Sequence, residues 1–334
     1  MRGREPSPAA GEVVRRVVRW YFDRVYGTHE GGAVPPYYVD PDRVGYFAVG
    51  PDELREGQDD ALFRLFVAMA MFQARRDVLI MQQQRLTSAR AVSRVASLQT
   101  VQRCVTRSAC PHLRDAAHLH AGCDVGKSAG EVDCATRPGA ACHVKEATRV
   151  FNRMGDLGKL PSSAWLLLWR KGGVRRLFRE VLKAEGAPTA RAALLVDQLA
   201  RVHRVGRKLA TMFVSALSTP ALALRLTPWY PEVDGHELVV VDTNVAKAVE
   251  ALCPRGPRTY EARARWVAAH ARAIDLRVFR EHLPAYSPRL VQQALYRFCS
   301  RSNRVVWGDK CASAGAASTA CVPTLCPFHN TGPI

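Results

Sequence analysis

VHRVGRKLATMFVS (residues 202–215) reads as a tight hairpin opening a helix, with Lys208 in the helix's first turn. Just before it, ARAALLVDQLARV (190–202) repeats apolar residues at helical spacing and predicts the helix that enters the hairpin. Further on, LVVVDTNVAKAVEAL (238–252) ends an apolar run at Asp242 and begins another helix, where Asp, Thr and Asn are good caps. A lysine nucleophile and a carboxylate are the groups required to cleave an N-glycosidic bond through a Schiff base. Taken singly, Asp242 also reads as a plain helix cap and Lys208 as a solvated first-turn cation.

The rest of the chain predicts a mostly helical protein. Val13, Val14, Val17, Val18, Tyr21, Phe22 and Val25 form a stripe at helical spacing, followed by the Gly/Pro-rich loop GGAVPPYYVDPDRVG (31–45). ALFRLFVAMAMF (61–72) is apolar nearly all round and predicts a buried helix at the centre of a core. After Gln73 a second helical pattern runs from Val78 to Leu98. Residues 143–186 read as helix, Gly-containing turn, helix, turn, helix, with Ser162 or Ser163 as a cap and Trp165 to Trp169 packing inward. TPWYPEVDGHE (227–237) reads as an inserted loop.

Ten cysteines form two groups and one isolate. Cys299, Cys311, Cys321 and Cys326 make a C-x11-C-x9-C-x4-C array, and four thiolates hold either an iron-sulfur cubane or a tetrahedral zinc. Cys104, Cys110, Cys123, Cys134 and Cys142, with His143 beside the last, lie in an insertion over residues 104–143. No pair there has tight C-x2-C spacing, so the group reads either as a second metal site or as a thiol-bearing surface insertion. Cys253 interrupts an apolar helical pattern and reads as buried packing.

The 334 residues are enough to bury a sizeable core. Lys and Arg number 48 against 30 Asp and Glu, and the net charge of +18 favours a polyanionic partner. Nucleic acid fits better than membrane, because no apolar run approaches the roughly 20 residues that span a bilayer. MRGREPSPAAGEVV at the start lacks the apolar core of a signal peptide, so a cytoplasmic, nucleoid-associated address with reduced thiols is expected.

VGRKLA followed by VDTNVAKAV resembles the helix-hairpin-helix motif and aspartate of the endonuclease III superfamily of DNA glycosylases, whose usual pattern is L-P-G-V-G-x-K-T-A then V-D-T-H-V. Three departures stand out: His203 and Arg204 replace the usual Pro and first Gly, Asn244 replaces the usual His, and Lys208 and Asp242 are 34 residues apart, a longer gap than the family's. The resemblance implies that Lys208 is the nucleophile of the glycosylase/lyase branch and Asp242 the shared catalytic aspartate. It implies that Arg204, Gly206 and Arg207 bind a DNA phosphate, and that Gln73 enters the DNA stack beside the target base; by itself Gln73 equally fits a solvated helix end. It implies a terminal [4Fe-4S] cluster on Cys299, Cys311, Cys321 and Cys326, and duplex DNA as partner of a monomeric protein.

The implied fold has two lobes. Residues 57–220 would form a six-helix barrel carrying the helix-hairpin-helix (about 190–215) and the 104–143 insertion, and residues 1–56 with 221–334 the second lobe with its cysteine cluster. A monofunctional glycosylase, or a non-catalytic iron-sulfur or zinc protein that binds DNA, remains the alternative.

Overall fold

The computed structural model describes residues 8–127, 132–152 and 155–300. The chain is 62% helix, and no strand forms among the described residues. The helices run α1 Pro8–Arg24, α2 Pro41–Val44, α3 Pro51–Arg55, α4 Asp59–Ala70, α5 Asp77–Leu86 and α6 Ala89–Ala96. There follow α7 Leu98–Thr106, α8 Ala116–Gly122, α9 His143–Phe151, α10 Leu160–Leu167 and α11 Gly173–Ala184. The last five are α12 Pro188–Leu199, α13 Gly206–Ser218, α14 Thr243–Leu252, α15 Tyr260–Ala271 and α16 Pro288–Cys299.

Two compact units result. The first combines Met1–Val34, Ser218–Leu224 and Asp234–Ile334, and the second Pro35–Leu217 with Arg225–Val233. Residues 35–56, read from the sequence as part of the terminal lobe, thus belong with the second unit. The reason is local packing: the backbone after α2 lies on the end of α5, and the Tyr38 hydroxyl donates to the Ala216 carbonyl of α13 at 3.4 Å.

In the first unit α1 buries the expected stripe: Val14, Val17, Val18 and Tyr21 are wholly enclosed, with α16 as the main neighbour. Val245 and Val249 of α14, Val267 of α15, and Leu290, Ala294 and Leu295 of α16 complete the core. Each such valine or leucine side chain taken from water stabilises the fold by about 1.5–3 kcal/mol. Within this apolar setting Glu30 accepts from Gln293 Nε2 at 3.0 Å and pairs with Arg297, so the buried charge has its partners.

In the second unit α4 is the central helix. From Ala61 to Ala70 every residue but Arg64 is buried, and Arg64 pairs with Asp60 at 3.1 Å. Trp169 stands edge-on to Phe63, with ring centroids 4.8 Å apart, and Phe213 of α13 edge-on to Phe66 at 5.1 Å. α13, which carries the hairpin lysine, is therefore seated on the buried central helix of the unit. The 227–237 loop is packed too: Trp229 is buried between Phe178 and Phe213, with centroids 5.7 and 5.8 Å away.

Three sequence expectations are corrected. The single helical pattern from Val78 to Leu98 is three helices, because Ser88 accepts from the Ala91 amide and Ser97 from the Thr100 amide, each restarting a helix as an N-cap. Ser162 and Ser163 do not cap α10: the helix begins at Leu160 with Pro161 in its first turn, and both serines are fully buried inside it. Cys253 is not within a helix but ends α14, and it is half-buried. No helix among the described residues is long and apolar enough to cross a membrane.

Candidate functional site

The hairpin between α12 and α13 spans residues 200–205. Arg204 has φ +62° and Gly206 φ +56°, both in the left-handed region. Gly206 takes that conformation freely, whereas Arg204, standing where the resemblance expects glycine, bears a Cβ penalty of roughly 1–2 kcal/mol. What holds Arg204 there is Asp156: its carboxylate accepts from Arg204 Nε at 2.7 Å, and lies 3.0 Å from His203 Nε2 and 3.2 Å from Lys159 Nζ. Burial pushes the Asp156 pKa up, but the bonds from Arg204, His203 and Lys159 outweigh it and hold the carboxyl well below the usual range. Burial also lowers the His203 pKa, with Asp156 opposing.

A second anchor is the Ser163 hydroxyl, which accepts from the His203 amide at 3.0 Å and lies 2.7 Å from His120 Nε2. The two serines misread as caps are therefore hydrogen-bond posts: Ser162 meets His143 Nδ1 at 2.9 Å, and Ser163 holds the hairpin. Asp156 and Lys159 were not singled out in the sequence, and Ser163 was read there in a different role. Asp156 lies 48 residues before Arg204, and no periodic signal links them.

Lys208 lies in the first turn of α13, half-buried, and its Nζ donates to the Phe72 carbonyl at 3.0 Å. That carbonyl belongs to the turn that ends α4, and Gln73 follows it directly, so Lys208 and Gln73 are brought to one turn. Gln73 itself is half-buried and bonds back to the Ala70 carbonyl. Arg204 and Arg207 are both exposed and paired, Arg204 with Asp156 and Arg207 with Asp197 at 2.8 Å. The Arg207–Asp197 pair is exposed on both sides, and such pairs contribute only about 0–1 kcal/mol, so a phosphate can compete for that guanidinium.

Asp242 belongs to the first unit. It is the N-cap of α14: Oδ1 accepts from the Val245 amide at 2.8 Å and Oδ2 from Asn244 Nδ2 at 3.2 Å. Asn244, the residue standing for the usual His, thereby orients the carboxylate.

Among the described residues no group of three or more His, Cys, Asp or Glu side chains is arranged to hold a metal ion. Within the 104–143 insertion His143 is committed elsewhere, since its ring nitrogens meet Ser162 Oγ and, at 2.8 Å, the Arg94 carbonyl. Burial lowers its pKa. Cys123 is buried, and the other insertion thiols are half-buried. Of the C-terminal array only Cys299 is described, as the last residue of α16, half-buried; Cys311, Cys321 and Cys326 lie outside the described residues.

Compared with known proteins, the chain matches no family model, no curated protein and no solved structure.

Proposed function

We propose that this protein is a DNA glycosylase with lyase activity, built on the two-lobed helix-hairpin-helix fold of the endonuclease III superfamily. The observation that carries the reading is the hairpin: a tight turn with Arg204 and Gly206 at positive φ, opening a helix whose first turn presents Lys208. That helix start, with Arg204 and Arg207 beside it, suits a DNA phosphate bound without regard to sequence. The target nucleotide leaves the stack, because its sugar carbon is unreachable inside the duplex.

In this reading the neutral Lys208 amine attacks the sugar C1′, and the glycosidic bond breaks as the base departs with the bonding pair and takes a proton. Loss of the amine's remaining protons and opening of the C1′–O4′ bond gives an imine. Removal of a C2′ proton then expels the 3′-phosphate. Asp242 is assigned the stabilisation of the positive charge that develops on the sugar. A [4Fe-4S] cluster on Cys299, Cys311, Cys321 and Cys326 is part of the same proposal, as a structural anchor with no step in the chemistry.

Borohydride trapping on duplex DNA with one abasic site tests the reading. Wild type should form a covalent adduct and Lys208→Ala none, because hydride reduction fixes a protein–DNA link only where the lysine imine has formed. Full lyase activity in Lys208→Ala would remove the assignment. A second reading, a protein that binds DNA without acting on it, draws on the bond from Lys208 to the Phe72 carbonyl, a position that also suits a resting ammonium. Tight duplex binding without any adduct would select it.

A further inference from the structure

Seven large apolar side chains are exposed among the described residues, and four of them, Tyr46, Val78, Leu79 and Leu86, lie on or against α5. α5 is inverted with respect to an ordinary surface helix. Its inward side holds Ile80 and the polar Gln84, both wholly buried, with Gln84 Nε2 donating to the Ala68 carbonyl of α4 at 2.9 Å. Its outward side shows Val78, Gln82 and Leu86 at four-residue spacing, with Leu79 alongside. Tyr46 is held beside the helix end because Gly45, at φ +58°, lets the backbones meet: a Cβ there would stand 2.8 Å from the Arg85 carbonyl oxygen. Exposures of 44% for Val78, 48% for Leu79, 62% for Tyr46 and 71% for Leu86 spread apolar surface along the length of α5, of the kind that marks a binding surface.

Arginines surround it. Arg43, Arg75, Arg76, Arg85 and Arg90 are exposed, and none is in an ion pair among the described residues, whereas Arg204 and Arg207 of the hairpin both are. Asp42 and Asp77 are the acids nearest to them in sequence. A second copy of the chain is a poor occupant, because a twofold contact sets these arginines against one another. The turn leading into α5 supplies the deciding link: it carries Phe72, whose carbonyl holds Lys208. On the glycosylase reading, a sugar bound at Lys208 sits at the turn from which Gln73, Arg75 and Arg76 follow.

We infer that the outward face of α5, with Tyr46, is a second contact surface for duplex DNA. Arg75, Arg76 and Arg85 meet phosphates, while Val78, Leu79 and Leu86 press on sugars and base edges, the combination by which apolar side chains and arginines bind a distorted duplex. The inference rests on the glycosylase reading for its partner, and its test separates the two.

The full chain is titrated onto a fluorescent duplex containing a tetrahydrofuran abasic analogue, over a range of salt. Arg75→Ala with Arg76→Ala should reduce the log Kd against log salt slope by about 2, near 0.9 for each phosphate contact. Leu79→Ser with Leu86→Ser should raise Kd about tenfold at fixed salt, from lost apolar contact, and leave the slope unchanged. Both changes are at exposed positions. Affinity within twofold of wild type in both variants overturns the inference, as does weakened binding to phosphatidylserine vesicles with DNA affinity intact. If wild type traps on borohydride and the α5 variants bind normally, only the α5 surface falls. If the α5 variants lose affinity and wild type never traps, the surface stands and the glycosylase reading falls.

Discussion

Replacing Asp156 by Asn tests what holds the hairpin. Asn fills the same space and can still accept a bond, but it removes the charge facing Arg204, His203 and Lys159. Lys159 decides the magnitude: its side chain is 6% exposed, so its ammonium is left in a nearly dry site without a counter-charge. Breaking a buried pair by removing one partner costs about 3–5 kcal/mol, and the solvent reaching Asp156, 24% exposed, favours about 3. For a unit of this size about 1 kcal/mol moves Tm by roughly 2–4 °C, so Asp156→Asn should lower the melting temperature by about 6–12 °C in scanning calorimetry at pH 7.5. Adding Lys159→Met removes the stranded cation and should restore about 2 kcal/mol. A double variant as unstable as the single, or a single variant within about 2 °C of wild type, would refute the reasoning.

Asp242→Asn keeps a good N-cap and should leave stability within about 0.5 kcal/mol while slowing base removal about a hundredfold or more, whereas Asp242→Ala should also lose about 1 kcal/mol of stability; urea unfolding beside single-turnover base release checks both. Ser97→Ala removes the cap that separates α6 from α7 and should destabilise by about 1 kcal/mol in urea. Stability should also fall in mild acid. His143 has its pKa lowered from 6.5 by burial, so the fold favours the neutral ring; that contribution is complete above 6.5 and is lost as pH drops below it and the unfolded chain takes up protons. Melting at pH 7.5 and 5.5 should show a drop that His143→Gln reduces, and equal melting temperatures would count against it.

Helix content and two of the core helices were legible in the sequence because burial imposes a period. The α1 stripe and the apolar α4 are direct images of the surfaces they cover. The capped start of α14 was legible for a different reason, since Asp242 bonds an amide three residues away and the signal is local. Where the decisive partner is distant the reading failed. Ser162 and Ser163 resemble caps in one dimension and are buried bonding posts in three, and Asp156 has no local mark of its work. The breaks at Ser88 and Ser97 were missed because apolar residues keep a roughly helical spacing across them. The cysteine array beyond Cys299 lies outside the described residues.

The hydroxyl of Ser163 is shared by two masters. His120 comes to it from the cysteine-bearing insertion and the His203 amide from the hairpin, and the two imidazoles stand with centroids 5.2 Å apart. The insertion is therefore a buttress, and it cannot be excised like a surface loop. Trimming residues 104–143 to make a minimal protein would take His120 away from Ser163, one of the two anchors of the turn before Lys208, so the shortened chain should lose hairpin rigidity before it loses its overall helicity.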